Sequence, residues 1–171
     1  MKADNQQSNE GKTEEQLSIF SRALLTGFIG GILWSSIGSL MYYFNFSEVA
    51  PKSFLLKSWL DATWIDSWLG TFIAILLAGV ISMGAALIYY GLFKKINTMW
   101  MGLLYGVILW GIIFYLMQPI FSNIPQLIDL SYNTIVSTVC LFILYGTFIG
   151  YSISYDYHDM KIRELKKAKE A

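Results

Sequence analysis

The sequence predicts an all-α, polytopic membrane protein with four transmembrane helices and both termini in the cytoplasm. Three observations predict it. Four runs long enough to cross a bilayer contain no Asp, Glu, Lys or Arg, the basic residues gather on one side of those runs, and aromatic residues cluster at their ends. The 171-residue chain is 55% apolar and only 14% charged, so lipid rather than water is its solvent.

A hydrocarbon core of about 30 Å needs roughly 20 apolar residues in a helix. The uncharged runs are 23–46, 68–93, 98–121 and 132–155. Unpaired backbone groups are costly in lipid, and none of the runs alternates polar with apolar, so they are read as helices and not as barrel strands. Residues 1–22 form a polar tail of mixed charge, unlike a cleaved signal, whose apolar region is shorter than the run that follows here. Residues 156–171 form a charged tail.

The linkers are unequal. Lys94, Lys95, Ile96 and Asn97 join the second and third helices by a turn short enough to make them antiparallel neighbours. About ten residues around Pro125 join the third and fourth. Pro119 ends the third helix or kinks its last turn. Between the first two helices, Pro51 starts a short amphipathic helix over 51–61. Its Leu55, Leu56, Trp59 and Leu60 share one face, with Lys57, Ser58 and Asp61 opposite, and it is expected to lie in the outer interface.

Orientation follows from counting cations. Lys2, Lys12, Arg22, Lys94, Lys95, Lys161, Arg163, Lys166, Lys167 and Lys169 fall on one side, and only Lys52 and Lys57 on the other. Ten against two places both ends inside. Tyr42, Tyr43, Phe44, Trp64, Trp68, Trp100 and Tyr155 lie near the proposed boundaries, as interfacial anchors do.

Helices in lipid associate by close packing, and small residues four apart let backbones approach. Every run carries such a ladder: Gly27, Gly31, Ser35 and Ser39 in the first; Gly70, Ala74, Ala78, Ser82 and Ala86 in the second; Gly102 and Gly106 in the third; Gly146, Gly150 and Ser154 in the fourth. The five-member run marks the second helix as the central packing helix. These faces meet either within one chain or between copies, so a homo-oligomer or a membrane-protein partner is an option beside the lipid bilayer itself. An offset of 76 also aligns Gly30, Leu33, Trp34 and Met41 with Gly106, Leu109, Trp110 and Met117, a pattern that chance in a reduced alphabet explains equally well.

Motifs for chemistry are weak. The 12 basic and 12 acidic residues balance, which offers no field for nucleic acid. The lone Cys140 permits no intramolecular disulfide or cysteine-based zinc site, and reads as a small buried hydrophobe. His158 follows Asp156 and precedes Asp159, but on a helix it stands about 100° from one and about 200° from the other, so the three do not converge on a metal. Gln118 and Asn133 are the polar side chains with substrate potential, and both lie near outer ends of spans. No GxSxG, HExxH or P-loop is present. The expectation is therefore no catalytic residue, no metal, no cofactor and no enzyme. Two functional readings follow: an accessory or scaffold subunit acting through helix packing, or a channel or transporter for a small neutral solute, either as a single chain or as an oligomer.

The stretches GGILW, KKINTMWMGLLYGVILW, PIF and YGTFIGYSISYDYH resemble the conserved membrane protein YqhR family of Bacillus-type bacteria, over about residues 20–160. The resemblance implies a four-span protein of a Gram-positive plasma membrane. It implies no activity and no site residue.

Overall fold

The computed structural model describes residues 2–60, 62–93, 96, 98–121 and 124–170. Expectations resting on Asp61, Lys94, Lys95 and Asn97 lie outside the described residues, as do those on the side chains of Lys2, Lys12, Arg163, Lys167 and Lys169. Among the described residues every regular element is helical. The main helices are α1 (Lys2–Tyr43), α2 (Trp68–Phe93), α3 (Met99–Gly111) and α4 (Tyr132–Glu170). Three stretches are long and apolar enough to cross a membrane: Phe20–Tyr43, Trp68–Phe93 and Tyr132–Ile162. A further apolar helix, Trp100–Leu116, is shorter, about 25 Å at 1.5 Å per residue.

The helix ends have local causes. α1 stops at Tyr43, earlier than the apolar run suggests, because Asn45 takes a left-handed conformation with φ 60°. That turn lets the Phe46 amide donate to Met41 O at 2.8 Å, closing the helix with a residue type that tolerates positive φ. α3 passes into a π-helical turn, Ile112–Leu116, and then a 3₁₀ turn, Gln118–Ile120. Pro119 has no N–H to donate and its ring crowds the preceding turn, which explains the widening and the stop. α1 and α4 run as continuous helices through the segments read from sequence as polar tails.

α1 packs on α2 and α3 packs on α4, while α4 also reaches α1 and, more lightly, α2. All adjacent pairs in sequence are antiparallel, and the start of the apolar part of α1 lies beside the end of the apolar part of α4, where Arg22 and Asp156 approach to 3.8 Å. Two expectations change here. α4 shares the centre with α2: α4 packs along α3 and α1 and touches α2, whereas α2 packs along α1 and meets α3 only near their short connection. Cys140 is exposed on the outside of α4 rather than buried.

At the opposite end, the segment after α1 folds back over the bundle. Its helical portion is shorter than the amphipathic helix expected over 51–61, centring on a π turn at Ser53–Lys57. Leu56 is buried against Ile65 and Ala74, while Trp59 and Leu60 stay exposed. Phe54 stacks edge-on to Phe114 and Phe121, with ring centroids 5.2 and 5.3 Å apart, so the segment caps the bundle. The Glu48 amide donates to Thr134 Oγ1 at 2.9 Å, tying the cap to the start of α4.

Lys57 Nζ lies 2.5 Å and Lys52 Nζ 3.8 Å from Asp66 Oδ1. The hydrogen bond from Lys57, reinforced by the charges of both lysines, holds the Asp66 carboxyl below its ordinary value of 3.8. A depressed carboxylate contributes stability above its unfolded value and loses it as pH falls through the lower folded one. The exposed pair is therefore expected to tighten the cap slightly at neutral pH and to lose that small contribution only in strong acid, while the apolar contacts of Phe54 and Leu56 persist. Proteolysis between Ser53 and Ser67 as a function of pH reads this directly, and Asp66→Asn should remove the pH dependence.

Candidate functional site

The small residues of the sequence form two seams and a prop. In the first seam a Cβ added at Gly27 would lie 2.7 Å from Ala86 Cβ, and one at Gly31 would lie 2.5 Å from Ser82 Cβ and 2.8 Å from Ala78 O. In the second, a Cβ at Gly102 would lie 2.9 Å from Gly146 O, and one at Gly150 2.6 Å from Gly102 Cα. Gly106 and Gly146 are closer still, backbone against backbone. Gly70 and Ala74 do something else. Gly70 abuts the backbone of Ile65, and the fully buried Ala74 packs under Leu56, so this end of α2 props the cap instead of meeting another span.

Polar side chains lock the same surfaces. Ser82 donates to Gly27 O at 2.6 Å and shares a 2.5 Å hydrogen bond with Tyr145 OH, joining α1, α2 and α4 at one point. Tyr105 OH donates to Ala85 O at 2.6 Å. Ser154 donates to Ile96 O at 3.3 Å and lies 3.4 Å from Tyr89 OH. Ser35 and Ser39 bond back to Ile32 O and Ser35 O of their own helix.

Between the two pairs of helices a cleft of about 510 Å³ is left open. α4 supplies its floor through Thr138, Phe142 and Tyr145, and the cap supplies its roof through Pro51, Phe54 and Leu55. Its mouth lies between Ile81, Gly84 and Ile88 of α2 and Leu109 and Ile112 of α3, several of them exposed on the outside of the bundle. The mouth exists because α2 and α3 are joined near their connection by Tyr89, Phe93 and Tyr105, whose rings pack at 5.1 to 6.1 Å, and separate beyond it.

The lining is hydrocarbon, and its hydroxyls are already engaged: Ser82 and Tyr145 with each other, Thr138 with Thr134 O at 2.7 Å, Ser35 with its own helix. Water needs two to four polar partners to occupy a buried space. An apolar occupant fits this chemistry.

Trp34 lines this cleft and Trp110 stands beside it, and they differ. Trp110 Nε1 donates to Thr138 Oγ1 at 3.0 Å. Trp34 Nε1 is buried with no partner. Trp110→Phe is thus expected to lose about 0.6–1.7 kcal/mol, the range for a hydrogen bond between membrane helices. Trp34→Phe removes an unsatisfied donor along with some contact area, so its thermal midpoint in detergent should fall less than that of Trp110→Phe.

The polar residues singled out from sequence do not converge. Gln118 Nε2 donates to Ile124 O at 3.2 Å and braces the loop after α3. Asn133 is exposed at the start of α4, and His158 is exposed beyond the far end of the bundle. No three His, Cys, Asp or Glu side chains among the described residues stand where they could hold a metal ion. The cleft itself was invisible in the sequence, because its lining residues are ordinary members of apolar runs.

No solved structure matches the chain. The Bacillus subtilis (strain 168) protein named "Uncharacterized protein YqhR" is 42% identical over 164 residues, covering 96% of this chain and 91% of that protein. Residues 3–168 match the family described as "Conserved membrane protein YqhR". With nearly its whole length matched, the chain belongs to the conserved membrane protein YqhR family.

Proposed function

We propose that this protein is a four-span, non-enzymatic accessory protein of the Gram-positive plasma membrane, both termini cytoplasmic, that acts by binding within the bilayer. One observation carries the reading: the glycine and serine seams close within a single chain and leave one flank, between α2 and α3, unfilled. A bundle so tightly joined elsewhere is a rigid holder for something seated in that flank. The four-span topology is supported by α3 lying antiparallel along the membrane-length part of α4, with Gly102 and Gly106 against Gly150 and Gly146. An odd number of spans would also separate the basic tails that the positive-inside rule places together.

The test is a cysteine map in a Cys140→Ser background. Single cysteines at Ser58 and Gln126 should react with an impermeant maleimide in intact cells, and those at Ser8 and Ala168 only after lysis. Reaction of Ser8 and Ala168 from opposite sides would refute four spans. The second reading, passage of a small neutral solute, draws support from the same cleft. The Tyr89, Phe93 and Tyr105 rings packed at its far end weigh against it. Glycerol flux in liposomes holding only this protein would favour transport and sink the binding role.

A further inference from the structure

We infer that the cleft between α2 and α3 is a binding site for one acyl chain of a bilayer phospholipid, entering sideways through the mouth. The inference deepens the binding role proposed above and rests on it. Its lining excludes other occupants in turn. Water finds a single unpartnered donor, Trp34 Nε1, short of the two to four partners it needs, since the hydroxyls of Ser35, Ser82, Thr138 and Tyr145 are all engaged. A partner helix or second copy is too thick, because at a diameter of about 10–12 Å a 510 Å³ space holds only about one helical turn. A flexible hydrocarbon chain is thin enough to lie along the cleft. The mouth lies along the middle of the apolar stretch of α2, which in the four-span arrangement faces acyl chains, and the unbranched Met41 and Met117 line the end under the cap, where they can adjust to an occupant.

Gly84 makes the site testable. It lines the mouth, and a Cβ there would meet nothing within 4 Å, so a large side chain can fill the entrance without disturbing the bundle. Gly91, on the same helix and equally open, does not line the cleft and serves as the control. The full chain would be placed in nanodiscs containing phosphatidylglycerol with a diazirine midway along one acyl chain, photolysed, and its adducts mapped by peptide mass spectrometry.

Adducts are expected to concentrate on Trp34, Leu109 and Ile113, inside the cleft. Gly84→Phe should lower them roughly tenfold, the effect of about 1.4 kcal/mol of lost binding, while Gly91→Phe leaves them unchanged. Adducts spread evenly over outward residues such as Phe72, Val136 and Tyr151, or cleft labelling indifferent to Gly84→Phe, would overturn the inference. So would crosslinks placing a second copy in the cleft. Failure here with the cysteine map intact and no glycerol flux removes the lipid site alone, whereas flux removes the binding role itself.

Discussion

Gly146→Leu is expected to prevent folded protein from accumulating, the largest effect of any single change considered. The reason is the seam between α3 and α4. A Cβ at position 146 would press on Gly106 N, and would stand 2.5 Å from both Gly102 O and Gly106 Cα. Those are backbone atoms of a packed helix, so no rotamer change can relieve the contact. Even Gly146→Ala forces the helices apart and should cost about 1–3 kcal/mol, the usual range for overpacking. Leucine adds a branched side chain where alanine already collides. Gly111→Leu and Gly91→Leu supply the contrast, since a Cβ at either meets nothing within 4 Å. Expression of tagged variants, followed by thermal unfolding in detergent, should show loss at 146 and near-native behaviour at 111 and 91. Equal tolerance at all three positions would mean that α3 and α4 do not touch along this seam.

Much of this architecture was legible in advance, because bilayer thickness and hydrophobicity leave few alternatives. The apolar runs at 68–93 and 132–155 begin their helices where expected. Ends set by local chemistry were less legible: Asn45 stops α1 before its apolar run is spent, and α4 continues through the charged tail because Lys161 to Glu170 are mostly good helix formers. Small residues could be recognised but not paired. A ladder states that something approaches closely and does not say what, so Gly70 and Ala74 read like spanning contacts yet meet the cap. Trp34 and Trp110 sit in similar local sequences, and only the structure shows one paired with Thr138 and the other unpartnered. The cleft lay furthest from view. It is defined by two helices that meet near their connection and then diverge, where a short connection between α2 and α3 suggests contact throughout.

Ala86→Leu is the second large effect, and it bears on how the protein can act. Ala86 is wholly buried, and Gly27 on α1 has room for no Cβ beside it. The extra carbons of leucine would push α1 away and carry Gly27 O out of reach of Ser82, whose hydroxyl also holds Tyr145 of α4. One substitution thus strains packing and loosens a three-helix junction, for a loss of about 1–3 kcal/mol from overpacking and about 0.6 kcal/mol or more from the polar link. The monomer itself should fail to accumulate. Ala78→Leu should be milder, because Ala78 is half-buried and borders the cleft, where a leucine finds space. If the α2 ladder instead served contact between copies, Ala86→Leu would yield a stable monomer and lose only a larger species on native gels. A missing monomer would locate the ladder's role inside the chain, and any partner would then have to be bound through the cleft, the cap or the charged ends.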